Sequence, residues 1–162
     1  MWIRTASERD LQEIRALLVN AWHDTYDSIY GADKVSEINE DWHSLNALKP
    51  KLTQPDSEFI LADAGEGISG MAFASTRDGK VVDLHQLYVL PQSQGQGVGT
   101  LLLDEIENCF AEAKSIRLEV EETNAKALAF YEKAGFHEVG RTDNCGVAGS
   151  GLPALVLEKN IP

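Results

Sequence analysis

Between Gln94 and Thr100 the chain reads Gln-Gly-Gln-Gly-Val-Gly-Thr, with Gly95, Gly97 and Gly99 at every second position. Leu87, Tyr88 and Val89 ahead of it suit a buried strand. Pro91 ends that strand, because it cannot donate to a sheet ladder. Leu101, Leu102, Leu103, Ile106, Phe110 and Ala113 follow at helical spacing, so a helix is expected to begin near Val98 to Thr100. The first amides of a helix have no internal acceptor, and the helix dipole adds partial positive charge at the same end. Glycines let that backbone approach a ligand and adopt positive φ. The chemistry this suits is capture of a phosphate or pyrophosphate by Gln94, Gly95, Gln96, Gly97, Val98, Gly99 and Thr100. A tight strand-to-helix connection is the plainer reading, but one or two glycines would serve it. The Walker A pattern fails, because Val98, Gly99 and Thr100 follow Gly97 and no Lys is present. The Gly-x-Gly-x-x-Gly dinucleotide fingerprint fails on spacing.

Further along, Asn124 and Tyr131 stand seven residues apart, two turns along one helical face. An Asn at a helix start either caps it or offers its amide to a ligand. An unperturbed Tyr, with pKa about 10, is protonated at neutral pH. Tyr131 can therefore donate a proton, or it can be a core Tyr with a satisfied hydroxyl. His85, with an ordinary pKa of about 6.5, suits proton acceptance, or it is a His packed on a sheet face. Asp83 and Glu119 on neighbouring strands are weaker candidates. The four His, at 23, 43, 85 and 137, are scattered, so no metal site is expected. No Ser or Cys nucleophile with a His partner can be argued from spacing.

These residues need elements to position them. Trp2 to Thr5 reads as a short strand. Ser7 with Asp10 is a capping-box pattern ahead of Leu11, Ile14, Leu17, Leu18, Ala21 and Trp22 on one helical face. A second, broken helix is expected between His23 and Pro55, from Trp22, Tyr26, Ile29, Tyr30, Val35, Ile38, Trp42, Leu45 and Leu48, with the break at Gly31. Most of these should seal the core, although Trp22 and Tyr26 are candidates to line a substrate site. Glu58–Ala64, Ile68–Thr76 and Val81–Val89 form a meander, with turns at Gly65-Glu66-Gly67 and Asp78-Gly79. Ser115–Glu121 alternates as a strand. Asn124 opens a helix that Gly135 closes. Phe136–Arg141 and Leu152–Lys159 are the last strands, with a flexible loop expected over 142–151. The order β-α-α-β-β-β-α-β-α-β-β predicts an α/β (α+β) fold. Its central sheet should be mixed, mostly antiparallel, of six or seven strands flanked by helices. Residues 1–162 read as a single domain.

Composition bounds the function. Fourteen basic and 26 acidic residues leave a net charge of −12, which argues against nucleic acid or an anionic membrane as partner. An anionic cofactor must then be held locally, by backbone dipoles. No apolar run reaches the ~18 residues of a membrane span. The first residues carry acids and no apolar stretch, so no secretory signal is expected. Cys109 and Cys145 read as free thiols of a cytoplasmic protein.

Gln94-x-x-Gly97-x-Gly99 resembles the pyrophosphate loop of the GCN5-related N-acetyltransferase (GNAT) superfamily. Asn124, Tyr131, Gly135 and Phe136 stand at the spacings of a second motif common in that family. The resemblance covers the element order and is strongest over Leu87 to Phe136. It implies acetyl-CoA as co-substrate and direct acetyl transfer to a primary amine of a small molecule, peptide or protein. The loop amides would hold the pyrophosphate. Asn124 would contact the pantetheine arm or a bridging water, and that arm would pair with backbone at Leu87, Tyr88 and Val89 like an added strand. An N–H near Val89 would polarise the acetyl carbonyl. Tyr131 would protonate the departing thiolate; His85, on the strand before the loop where some relatives carry a Glu, is the candidate general base. Homodimers are common in the family. The alternative on the same fold is a non-catalytic acyl-CoA-binding or sensing module.

Overall fold

The computed structural model describes residues 1–146 and 150–162. The loop expected over 142–151 therefore falls partly outside the described residues. The strands are β1 (Trp2–Thr5), β2 (Ser57–Asp63), β3 (Ile68–Thr76), β4 (Val81–Val89), β5 (Ser115–Glu121), β6 (His137–Thr142) and β7 (Ala154–Asn160). The helices are α1 (Leu11–Tyr30), α2 (Ala32–Trp42), α3 (Leu45–Leu48), α4 (Val98–Cys109) and α5 (Ala125–Lys133). One sheet runs in the order β1-β2-β3-β4-β5-β7-β6. Among the described residues β4 and β5 pair in parallel, and the other neighbouring strands pair antiparallel. The parallel pair needs a crossover, which α4 supplies. This agrees with the mixed, mostly antiparallel fold expected from the sequence. The segment expected as one broken second helix is divided: its first part, to Tyr30, continues α1, its middle is α2, and Leu45 and Leu48 lie on the separate α3, which runs into a short 3₁₀ turn, Lys49–Leu52. No helix among the described residues is long and apolar enough to cross a membrane.

Period-2 alternation builds both faces of the sheet. Ile60, Ala62, Ala72, Ala74, Val82 and Leu84 meet Val98, Leu102, Leu103 and Ile106 of α4. Phe59, Leu61, Met71 and Phe73 meet Ile14, Leu17 and Leu18 of α1 on the other face. A third cluster, Trp22, Tyr26, Val35 and Leu152, joins α1 and α2. Gly31, with φ +87°, makes the break between these two helices.

The capping pattern at Ser7 and Asp10 is present, with a larger role than capping. Asp10 accepts from the Ser7 amide at 2.9 Å and from two nitrogens of Arg4 at 2.9 Å each, while Arg4 also reaches Asp63 at 2.8 Å. Arg4 holds the Asp10 carboxyl well below the usual carboxylate range. Asp10 is 6% exposed, so Asp10→Asn should cost about 2 kcal/mol at neutral pH. A carboxylate with a depressed folded pKa stabilises above its unfolded value, and that contribution is lost as pH falls below it. Urea denaturation should therefore show the deficit at pH 7 and its shrinkage in acid; equal midpoints at pH 7 would refute the coupling.

Candidate active site

β4 and β5 pair only from Val81↔Ser115 to Leu84↔Leu118. Beyond Leu84 the two strands part, while β5 continues with β7 as far as Glu121↔Ala154. Leu90 donates to Ser69 on the far side of β4 at 2.9 Å. Antiparallel ladders alternate, so Val89 and Leu87 turn their N–H and C=O groups away from β3 and into the gap. A cavity of about 860 Å³ opens there, lined by Leu87, Tyr88, Val89, Gln94, Gly95, Gly97, Val98, Gly99 and Thr100. Asn124, Phe130 and Tyr131 close its other side.

The loop has the conformation its glycines allow. Gly95 has φ +80° and Gly97 φ +81°, and Gly97 is the residue that caps α4. No amide from Gly95 to Thr100 donates to any acceptor among the described residues. Gly99 has a different role from the one its spacing suggests. Its Cβ would stand 3.2 Å from the Phe130 ring, so it permits the close approach of α4 to α5 rather than a turn. Gln94 donates its side-chain amide to the Val89 carbonyl at 3.3 Å, tying the loop to the end of β4. Lys126 and Lys133, seven residues apart on α5, line the same cavity on either side of Phe130. In an acidic chain they add positive charge beside the free amides.

A second cavity, of about 760 Å³, lies beyond the gap, and both cavities touch Leu87, Tyr88, Asn124, Ala127 and Tyr131. Tyr131 stands at that junction, 7% exposed. Its hydroxyl hydrogen-bonds to no described residue, and burial pushes its pKa well above the ordinary value, with Tyr26 adding to the rise. Asn124 does two jobs: its carbonyl oxygen accepts from the Ala127 amide as the cap of α5, and its nitrogen donates to the Tyr26 hydroxyl at 3.3 Å. Tyr30 donates to Glu121 at 2.6 Å. α1 is thus fastened to the β5–α5 turn by two tyrosines. Burial pushes the Tyr26 hydroxyl up to about 12. Trp22 and Tyr26 are each 4% exposed, packed ring to ring at 4.5 Å, and both line the second cavity. They are core and cavity wall at once.

His85 lies on the wall of the second cavity too. Phe73 pairs with Gln86 and Ala74 with Leu84, so His85 is the extra residue of a β-bulge. The bulge shifts the phase of the strand: Val82 and Leu84 face α4 before it, Leu87 and Val89 after it. That slip is visible in the spacing of the apolar residues, and reading β4 as a regular strand misses it. The His85 ring stacks on Phe73 at 5.6 Å, and its Nε2 is 2.7 Å from the Ser75 hydroxyl. Desolvation lowers its pKa, with Lys51 and Arg77 adding to the fall and Asp83 and Glu119 opposing it. The ring is therefore neutral at pH 7. When Nε2–H donates to Ser75, Nδ1 carries the free lone pair.

The sequence profile of the acetyltransferase (GNAT) domain family matches residues 26–150. The chain belongs to the GNAT family. It is 35% identical over 98 residues to an N-alpha-acetyltransferase RimI of Mycobacterium tuberculosis, a match spanning 58% of this chain and 61% of that relative's length. A PaiA N-acetyltransferase of Thermoplasma acidophilum, solved with coenzyme A, shares the fold at a TM-score of 0.87, with 23% identity over 99% of this chain and 98% of that one. A ribosomal-protein-S18-alanine N-acetyltransferase of Escherichia coli does so at 0.73, with 20% identity over 99% of this chain and 93% of that one.

In this GNAT chain the structure also brings in residues that spacing did not single out. His43 is 1% exposed and lies on the second cavity, its Nδ1 2.7 Å from Asn39. Desolvation takes its pKa down to about 4, with Lys51 and Arg15 contributing. Lys51, Gln86 and Cys145 join the same wall. They come from separate stretches of chain with no periodic signal between them. Lys126 and Lys133 did carry one, flanking Phe130 at helical spacing after Asn124.

Proposed function

We propose that this GNAT chain is an acetyl-CoA-dependent N-acetyltransferase whose single catalytic domain spans residues 1–162. One observation carries the reading: a cavity lined by unpaired backbone amides and a second cavity lined by polar and aromatic side chains share Tyr131, beside the open edge of β4. The amides from Gly95 to Thr100 would hold the pyrophosphate, with Lys126 and Lys133 adding charge. The pantetheine arm would lie along Leu87 and Val89 as an added strand. The Val89 N–H would then polarise the thioester carbonyl.

Acetyl-CoA supplies an activated acyl carbon. In the second cavity the amine nitrogen bonds to that carbon and the C–S bond breaks. His85 takes the amine's proton, directly or through water, and Tyr131 gives its own to the departing sulfur. A pKa raised by burial keeps Tyr131 protonated until charge develops beside it. The nearby Tyr26 and Asn124 fix the wall against which the amine arrives. A small-molecule amine and a peptide amine both fit a space of this size.

Calorimetric titration with coenzyme A, followed by thiol release from acetyl-CoA across an amine panel, tests this. Saturable coenzyme A binding and amine-dependent thiol release are expected; absence of binding would end the reading. His85 makes a further prediction. A base with a depressed pKa works above that pKa, so kcat/KM should fall with an acid limb below pH 6.5. His85→Gln should lose this limb and about 10²-fold in rate. An unchanged acid limb in the variant would assign the proton to another group.

A further inference from the structure

β5 hydrogen-bonds to its two neighbours in turn. At the ends of β7, Lys114 accepts from Ile161 at 2.8 Å and Glu122 donates to Pro153 at 3.1 Å; at the start of β4, Ser115 donates to Lys80 at 3.2 Å. The even-numbered residues of β5 therefore bond to β7, and Ser115, Arg117, Glu119 and Glu121 turn their N–H and C=O groups towards β4. The β4 ladder ends at Leu84↔Leu118. In a parallel ladder that last bridge uses the Arg117 C=O and the Glu119 N–H. The next β4 residue in register would be Gln86, which would take the Glu119 C=O and the Glu121 N–H. The bulge at His85 turns Gln86 to Phe73 of β3 instead. The Glu119 C=O and the Glu121 N–H are left with no partner among the described residues. They are one acceptor and one donor at the spacing that a single extended residue fills.

The second cavity meets this edge, since every residue from Arg117 to Glu121 lines it. Side chains alternate across a strand, so a cavity that touches five successive residues touches main chain. Four carboxylates and three Lys or Arg side chains line it too, a mixture that singles out no ionic class of acceptor. The main-chain pair is selective in another way. Its match is a donor and an acceptor on one extended residue, which a peptide carries and a simple amine lacks. On the same wall the buried side-chain oxygen of Gln86 has no donor among the described residues, and it is a further acceptor for whatever enters. Resting on the acetyl-transfer reading above, we propose that the acceptor is a peptide, one residue of which docks in extended form on the edge of β5, donating to the Glu119 C=O and accepting from the Glu121 N–H. Each edge of the gap then takes its own added strand: pantetheine on Leu87 and Val89, acceptor main chain on Glu119 and Glu121.

The test uses Ala-Ala-Ala-Ala amide, with a free α-amine, and acetyl-Ala-Ala-Lys-Ala-Ala amide, with a free ε-amine. Propylamine and butylamine, which have no main chain, are the comparison. With saturating acetyl-CoA, kcat/KM for at least one peptide should exceed that of both simple amines by about tenfold or more. An ester oxygen in place of a main-chain N–H removes a donor and weakens the carbonyl it joins. Such replacement should lower kcat/KM about fivefold at the links flanking one residue, through KM, and leave the other links within about twofold. Backbone amide exchange, read by NMR on protein saturated with coenzyme A, locates the contact: bound peptide should slow the Glu121 amide about tenfold or more. Simple amines that match both peptides, an ester series without a step, a Glu121 amide unprotected by bound peptide, or turnover of neither peptide while coenzyme A still binds would each overturn the acceptor assignment. Loss of coenzyme A binding would instead overturn the transferase reading beneath it.

Discussion

Tyr131→Phe is expected to lower kcat by about 10²-fold or more while leaving coenzyme A affinity within about threefold. The substitution removes one oxygen at the junction of the two cavities and keeps the ring. That ring packs against Phe130 at 5.1 Å and Phe136 at 5.4 Å, contacts that Phe retains. The hydroxyl hydrogen-bonds to no described residue, so no protein partner is stranded by its loss. A structural Tyr buried this deeply normally satisfies its O–H, and here the available use is toward a ligand. Folding stability should therefore stay near the parent's while turnover collapses. The pH profile sharpens the test, since a proton donor raised by burial stays competent across the neutral range. Single-turnover measurement with acetyl-CoA and an amine reads the chemical step directly; parental turnover in the variant would remove the acid role.

Gly97→Glu is expected to abolish measurable coenzyme A binding. Gly97 caps α4 at φ +81°, and a Cβ there would meet nothing within 4 Å. Space is not the obstacle. An L side chain at this φ costs about 1 kcal/mol of backbone strain. A Glu side chain would also project from the amide pocket and compete for the same donors with its own negative charge. Gly97→Ala separates the two effects, because it carries the strain without the charge. The Ala variant should weaken binding modestly and the Glu variant eliminate it. Calorimetric titration of both decides; full affinity in Gly97→Glu would remove the pyrophosphate from the loop.

The loop and its helix were legible because their determinants are local. Glycine spacing, a strand-ending proline and a helical apolar stripe all lie within one stretch of chain, and their dihedral consequences do not depend on distant partners. Asn124 and Tyr131 were legible for the same reason, being two turns apart on one helix. His85 was visible as a titratable residue on a strand, but its exposure to the second cavity comes from a bulge. The bulge could have been read from the slip between Val82, Leu84 and Leu87, Val89. Trp22 and Tyr26 were ambiguous in sequence between core and site. They remain both, since one ring face packs while another part of the ring meets the cavity.

The amino-acid sequence alone determined the family, the order of elements and the amide pocket, because each is written in neighbouring residues and short-range backbone preference. Only the tertiary structure decided that β4 parts from β5 after Leu84, that two cavities meet at Tyr131, and that Lys51 and His43 join the wall of the second cavity. Those features arise where strands and turns remote in sequence come together, and pairing across a sheet leaves no periodic trace in any one of its strands.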